Sequence, residues 1–383
     1  MKKISLLLVF LIAATGFSQK TKDSILSKKL DSYRFLTVST PKSYNDGEKK
    51  GYPLLLLLDG DYLFDPFTGV LSYGNYWDDL PEMIVVGLNQ NKGDLRFKDC
   101  SVSRDSGLPD KDGSKFFEFI GGELLPFIEK KYRIAPFKAI AGHDVTAGFL
   151  NFFLYKENPL YNAYISLSPE LAVNMKNVVA ERLAVQKTPI FYYLASADGD
   201  IIKMKEDAKA LNENITQIKN ESLNYRFDDI KQASHYSLVV HAIPNALYQF
   251  FAAYQPISNL EFQEKIVKLN SGFVDYLTDK YAILDKVMGM KMNIRYNDFK
   301  AIEAAILKNK AYNEFEKLAQ LSNKMYPKTM LGDYHMGMYY EYQEDYKRAS
   351  KSYLGGYQRE EIGSLTKDFM LSKSDELRNK IKK

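Results

Sequence analysis

The sequence predicts a doubly wound α/β fold, a mostly parallel sheet with helices on both faces, followed by an all-helical carboxy-terminal region. Three observations carry this. Unbroken apolar runs closed by turn residues recur up to about residue 195, and such runs suit strands buried on both faces of a parallel sheet. Patterns of helical period lie between them, the alternation expected of a parallel α/β sheet. Near Gln255-Pro256-Ile257-Ser258 the strand-like runs stop, and residues 259–383 read as helical.

Residues 1–18 read as a secretory signal. Lys2 and Lys3 precede the apolar run Ile4 to Ala14, and small residues Gly16 and Ser18 follow. The run is too short for a bilayer, which takes about 20 residues. The expectation is export, to the periplasm or beyond, with no membrane span in the mature chain. Cys100 is the sole cysteine, so the fold has no internal disulfide and rests on its core. An apolar fraction of 45% with 26% charged residues is ordinary for a globular chain. The formal charge is only +4, and two of those cations lie in the leader. That is too weak to imply a nucleic-acid partner, and none is expected.

Tyr33 to Val38, within the weakly alternating stretch 24–42, reads as a strand or part of a strand pair, and Ser43 to Gly51 as a polar loop. Pro53 begins a run of five leucines ended by Asp59-Gly60-Asp61, the first buried strand. Met83 to Leu88, Phe137 to Ala141, Ala163 to Leu167 and Pro189 to Ala195 are the next four. Helical patterns cover Phe116 to Lys131, Phe149 to Lys156 and about Ile243 to Tyr254, with Pro244 suited to a first turn. Ligands of such sheets sit beyond the carboxyl ends of the strands. Asp59, Gly87, Asp144, Ser168 and Asp198 fall at or just after those ends.

Ile140 to Gly148 reads I-A-G-H-D-V-T-A-G. A strand turning sharply into a helix, with one side chain at the apex, is the form of a nucleophile elbow. The apex is Asp144. Such a position needs a positive φ, which Asp tolerates better than most residues. Thr146 and Ala147 are expected to crowd the turn. Together with Y-P-L-L-L-L-L-D-G-D (52–61), P-E-M-I-V-V-G-L (81–88), L-R-F-K-D (95–99), L-L-P-F-I-E-K-K-Y-R (124–133), Y-N-A-Y-I-S-L-S-P (161–169), H-Y-S-L-V (235–239) and A-L-Y (246–248), this makes residues 24–254 resemble the esterase family of α/β-hydrolases. That family includes siderophore esterases, S-formylglutathione hydrolases and feruloyl esterases.

The resemblance implies an α/β-hydrolase domain over 19–255 and a small-molecule ligand or ester substrate. In the family's order of nucleophile, acid and histidine, His235 falls at the histidine. Asp198 and Asp200 both qualify as the acid, with Asp200 preferred. The backbone N–H groups of Val145 and of the Gly60-Asp61 turn would be the oxyanion donors. The departure is central: the family pattern resembles G-H-S-x-G-G, and here the residues are Gly142-His143-Asp144-Val145-Thr146-Ala147.

A serine esterase needs an alcohol that histidine can deprotonate. A carboxylate attacking an ester yields an anhydride, a poor route. It can instead displace a halide or open an epoxide, leaving an alkyl ester that His-activated water cleaves. Trp77 is the lone candidate to receive a leaving halide, with core packing as its alternative role. Asp144 beside His235 would more simply form an ion pair, raising the imidazole pKa and spoiling it as a base. A metal set of Asp144, Asp200 and His235 is conceivable, but no H-E-x-x-H or similar spacing supports it. His143 reads as packing. No G-x-G-x-x-G or P-loop suggests a cofactor. Arg96 and Arg104 either bind an anionic substrate or hold loops through buried carboxylates. The expectation is an exported esterase-family protein, degenerate for serine chemistry, that binds a ligand or partner. The alternative is an active hydrolase using Asp144, His235 and Asp200.

Within the helical region, 256–383, the stretch 331–357 resembles a tetratricopeptide repeat, with Gly337, Tyr340, Ala349 and Tyr353 at matching positions. The stretch before it matches poorly, with Phe315 where a small residue belongs. One such helix pair cannot bury its own face. This region is therefore expected to dock on the sheet domain, capping its end or roofing its cleft, and to offer a surface for a protein partner.

Overall fold

In the computed structural model, which describes residues 20–44 and 49–381, five leucines set the architecture. Leu54, Leu56 and Leu58 face one core, and Leu55 and Leu57 face the other. Side chains alternate across a strand, so an unbroken apolar run is what a strand between two helix layers requires. The eight strands are β1 (Lys20–Ser27), β2 (Ser32–Ser39), β3 (Tyr52–Leu57), β4 (Ile84–Asn89), β5 (Ile134–His143), β6 (Ala163–Leu167), β7 (Ile190–Gly199) and β8 (Leu223–Ser234). They form one sheet in the order β1-β2-β4-β3-β5-β6-β7-β8. β1 and β2 form an antiparallel pair, β2 meets β4 antiparallel, and the pairs from β4 to β8 are parallel. The leader expected over 1–18 lies outside the described residues.

Helices α1 (Gly60–Tyr76), α2 (Leu95–Asp99), α3 (Lys111–Phe119), α4 (Leu125–Lys131), α5 (Val145–Phe149), α6 (Met175–Ala184), α7 (Ile202–Thr216) and α8 (Leu238–Phe250) flank the sheet. Two expectations are corrected here. The stretch 149–156 is not an α-helix: α5 ends at Phe149 and tightens into a 3₁₀ segment, Leu150–Tyr155. Pro244 does not open its helix. α8 starts at Leu238, so the proline sits inside it, where its ring removes one N–H and crowds the carbonyl four residues back. Strand β8 was not anticipated. It is the edge strand, carries Arg226, Asp228, Asp229 and Lys231, and buries only Ala233 fully, so it lacks an apolar run.

Beyond residue 258 come α9 (Asn259–Glu261), α10 (Phe273–Met288), α11 (Tyr296–Asn309), α12 (Glu314–Met325), α13 (Leu331–Tyr342), α14 (Tyr346–Gly356) and α15 (Lys367–Ile381). Their apolar faces continue the core formed by α1, α8 and one face of the sheet. At the seam Tyr254 Oη donates to Asp78 Oδ1 at 2.7 Å, and Arg295 Nη1 donates to the Tyr254 carbonyl at 2.7 Å. Gly289 lies so close to Pro136 that a Cβ there would fall 2.4 Å from the ring. Asp78 follows the end of α1, and Pro136 stands near the start of β5. Both lie at the amino-terminal ends of the strands. The helices therefore cap the end remote from Asp144, and do not roof its cleft. Gly337 admits the Tyr353 ring, which would stand 2.7 Å from a Cβ, and Phe315 is fully buried.

One buried ion pair positions the site. Arg34 on β2 donates to both oxygens of Asp99 at the end of α2, at 2.9 and 2.7 Å, and Gln90 Nε2 donates to the same carboxylate at 3.0 Å. Asp99→Ala strands the Arg34 guanidinium in the core. The expected cost is about 3–5 kcal/mol, read as a fall in the urea midpoint at unchanged slope. A loss below about 1 kcal/mol would mean that the pair does not hold α2.

Candidate active site

Asp144 sits at the apex between β5 and α5 with φ 62° and ψ −123°. Its N–H donates to Leu167 O at 3.0 Å, and its carbonyl accepts from the N–H groups of Gly148 and Glu170, each at 3.1 Å. Two glycines permit the turn. A Cβ at Gly148 would fall 1.9 Å from the Glu170 carbonyl oxygen, and one at Gly142 would fall 2.7 Å from Thr146 Oγ1. Asp59 after β3 and Ser168 after β6 also have positive φ, 56° and 46°. Strained non-glycine residues at the ends of three adjacent strands persist only where their surroundings hold them, and they gather at functional sites.

The Asp144 carboxylate is not idle. Arg96 Nη1, presented by α2, donates to its Oδ2 at 3.0 Å. The same guanidinium grips Asp59, from Nε to Oδ1 at 2.5 Å and from Nη2 to Oδ2 at 3.1 Å, and Nη2 also donates to His143 O at 2.8 Å. Burial opposes the Arg96 charge, but the Asp59 hydrogen bonds and charge outweigh it and hold its pKa above the usual value. The Thr146 hydroxyl lies 2.6 Å from Asp59 Oδ2 as donor and accepts from the His143 N–H at 3.0 Å. So Thr146 does more than crowd the turn: it joins the same cluster.

A second group lies beside the first. His235 Nδ1 donates to Asp200 Oδ1 at 2.7 Å, leaving Nε2 as its other ring nitrogen. Ser168 Oγ is 2.7 Å from the same oxygen, and Ile201 N–H donates to it at 2.8 Å. Asp200 Oδ2 is buried without a hydrogen-bond partner among the described residues. Asp198 goes elsewhere, to Lys231 Nζ at 3.2 Å and the Gln232 N–H at 3.3 Å. Ser168 is fully buried and meets the Nδ1 side of His235, which places it on the Asp200 side of the ring.

His143 links the two groups, a residue read from sequence as mere packing. Its Nε2 donates to the His235 carbonyl at 3.0 Å, and its ring lies 4.5 Å from the His235 ring. Burial first, then His235, hold its pKa below the usual value, so the ring is neutral and Nδ1 is an acceptor. The Tyr62 hydroxyl stands 3.1 Å from that Nδ1 and 2.9 Å from Asp59 Oδ2, and can serve one at a time. The signal available in the sequence was the position of His143, one residue before the apex, where alternation turns its side chain away from Asp144.

The expected Asp144–His235 ion pair does not form. Arg96 takes Asp144, and Asp200 takes His235 Nδ1. A permanently charged fork anchored on three acceptors outcompetes an imidazole already committed to a buried carboxylate. Trp77 is 59% exposed at the end of α1, neither core nor near the apex. The N–H groups of Val145 and of Gly60 and Asp61 open α5 and α1, where helical N–H groups lack intrahelical partners. The cavity beside Val145 and Glu170 holds about 60 Å³, room for water and not for an acyl chain. Among the described residues no group of three or more His, Cys, Asp or Glu is placed to hold a metal ion.

Burial pushes the Asp200 pKa up, but hydrogen bonds from His235, Ser168 and the Ile201 N–H outweigh it and hold the group below its ordinary 3.8. A depressed carboxylate stabilises the fold fully above the unfolded pKa, and that contribution is lost as pH falls through the folded value. Asp200→Asn should therefore lower stability at pH 7 by about 1–3 kcal/mol. The gap from wild type should close below pH 3.8, measured by urea unfolding across pH. A gap independent of pH would show that the charge of Asp200 is not involved.

Residues 27–196 match the family model described as "Putative esterase". No curated protein matches the chain. Among solved structures, an uncharacterised protein from Capnocytophaga ochracea aligns over 94% of this chain and 100% of its own, at 28% identity and TM-score 0.84. That overlap takes in the helical region. An IroE-like serine hydrolase from Shewanella oneidensis aligns over 79% of this chain and 98% of its own, at 19% identity and TM-score 0.58. Siderophore hydrolase EstA from Aspergillus nidulans covers 66% of this chain and 100% of its own, at 16% identity and TM-score 0.50. At their identities the last two carry the fold alone. The sheet order and the strained turn at its centre are those of an α/β-hydrolase-like fold, and residues 27–196, from the end of β1 into β7, are similar to the esterase family.

Proposed function

We propose that this is an exported protein in which the esterase fold serves ligand binding and no longer performs serine ester hydrolysis. The observation that carries the reading is the Arg96 guanidinium on Asp144 Oδ2 at 3.0 Å. An apex side chain held in an ion pair has no alcohol to offer and a reduced tendency to attack. The ligand is a small molecule seated over the apex, between Tyr236, which is 79% exposed beside His235, and Phe97, which is 60% exposed beside Arg96. The repeat-like helices are the surface for a protein partner in the same reading. No helix among the described residues is long and apolar enough to cross a membrane.

A second reading is favoured by the retained elbow dihedrals and the Asp200–His235 hydrogen bond. Asp144 would displace a leaving group from an alkyl carbon, one C–O bond forming as the carbon–halogen or epoxide C–O bond breaks. His235 would then take a proton from the water that cleaves the resulting ester and frees the carboxylate.

One experiment separates them: intact mass after exposure to a fluorophosphonate, alkyl halides and epoxides. The wild type is expected to stay unmodified by all three, while Asp144→Ser gains the fluorophosphonate mass and turns over short-chain aryl esters. An alkyl adduct on Asp144 would establish the second reading, and wild-type ester turnover lost in His235→Ala would overturn the first. The partner surface has its own check. Replacing exposed Tyr357 and Leu371 with Glu in the full chain should abolish cross-links to residues 331–381; unchanged cross-links would remove that surface from consideration.

A further inference from the structure

A cleft of about 780 Å³ opens at the seam between the start of β3, the turn after α1 and the connection from α10 to α11. That volume is in the range of small-molecule sites, which favour junctions between packed units. Its apolar lining includes Tyr52, Tyr254, Met290 and Met292. Methionine adapts its shape to irregular apolar ligands.

The charge balance of the lining is uneven. Both of its carboxylates are engaged. Asp78 is taken by Arg295 and by the Tyr254 hydroxyl. Glu82 accepts the Ser43 N–H at 3.1 Å and the Ser43 hydroxyl. The three cations, Lys49, Lys50 and Lys291, have no carboxylate partner among the described residues, and Lys50 rests 5.0 Å above the Tyr52 ring. Lysines without a carboxylate partner among the described residues, on the rim of an apolar cleft, complement one kind of molecule, an apolar body ending in a negative charge.

We propose that the seam cleft binds an amphipathic anion, an apolar chain with a carboxylate or phosphate head. The head meets Lys50 and Lys291, and the chain lies along Met290 and Met292. This site stands at the opposite end of the strands from Asp144 and does not depend on how that turn is read. Because the cleft is walled by both the sheet domain and the helices, its ligand would also tie them together.

The test uses the full chain with ¹³C-methyl-labelled methionine, its two seam signals assigned from Met290→Leu and Met292→Leu. Dodecanoate, kept below its micelle concentration, should shift both methyl signals saturably. Lys50→Glu/Lys291→Glu should weaken binding at least about tenfold, with the remaining methionine signals in place as a check on folding. Dodecyl phosphate is the second arm: tighter binding than dodecanoate assigns a phosphate head, weaker binding a carboxylate, and either supports the site. Inorganic phosphate alone should bind far more weakly. The proposal falls if neither methyl moves, if the double variant binds as well as wild type, if dodecyltrimethylammonium binds equally, or if Asp144→Asn abolishes the shifts.

Discussion

One guanidinium between two carboxylates organises the carboxyl end of this sheet. Asp59 is fully buried, and Arg96 makes two bonds to it before reaching Asp144 with its remaining nitrogen. A buried carboxylate without a cation would cost several kcal/mol, so Arg96 is first a structural requirement of Asp59. It stands there because α2 is pinned from behind. Arg34 and Gln90 hold Asp99, the last residue of α2, and the helix turns Arg96 toward the strand ends. The hold on the apex is thus inherited from a bond on the far side of a five-residue helix.

At the elbow the backbone is held independently of the side chain it presents. A positive φ with extended ψ at a non-glycine residue costs of order 1–3 kcal/mol, and the turn holds it with the Leu167, Gly148 and Glu170 bonds described above. These contacts are made by the backbone and are indifferent to the side chain at 144. The acid–histidine hydrogen bond is equally indifferent, since Asp200 Oδ1 meets His235 and Ser168 whatever stands at 144. The turn and the acid–histidine hydrogen bond therefore do not depend on which side chain stands at 144.

Most of the sheet was legible because its strands are buried on both faces, which forces unbroken apolar runs such as Leu54 to Leu58. β8 was not, because an edge strand half in water carries Asp228, Asp229 and Lys231 and has no such run. Around the site, Asp198 and Asp200 both qualified, with Asp200 preferred, and chain order pointed to His235, but neither could say whether they meet. What escaped reading was the pairing of charges. Arg96, 48 residues before Asp144, reaches it only after α2 folds back across the strand ends. Asp59 and Thr146 meet across 87 residues. Such contacts leave no periodic trace. The docking of the helices was open for a similar reason, since an apolar helix face shows that something must cover it and not which end of the sheet that is.

Asp144 and Thr146 belong to one arrangement. Oδ2 of Asp59 receives Arg96 Nη2, Thr146 Oγ1 and Tyr62 Oη, three contacts on one buried oxygen. A glycine at 146 would remove one of them and leave space above Gly142, where Thr146 now packs. A neutral side chain at 144 would leave Arg96 balanced by Asp59 alone, one charge against one. With Asp144 present the ratio is one cation to two anions, tolerable only because Asp144 is the member nearer solvent, 19% exposed against 0% for Asp59. Solvent, and any ligand that reaches it, must supply what the protein does not. The unbalanced negative charge therefore lies at the opening of the site, and the interior behind it is already neutralised.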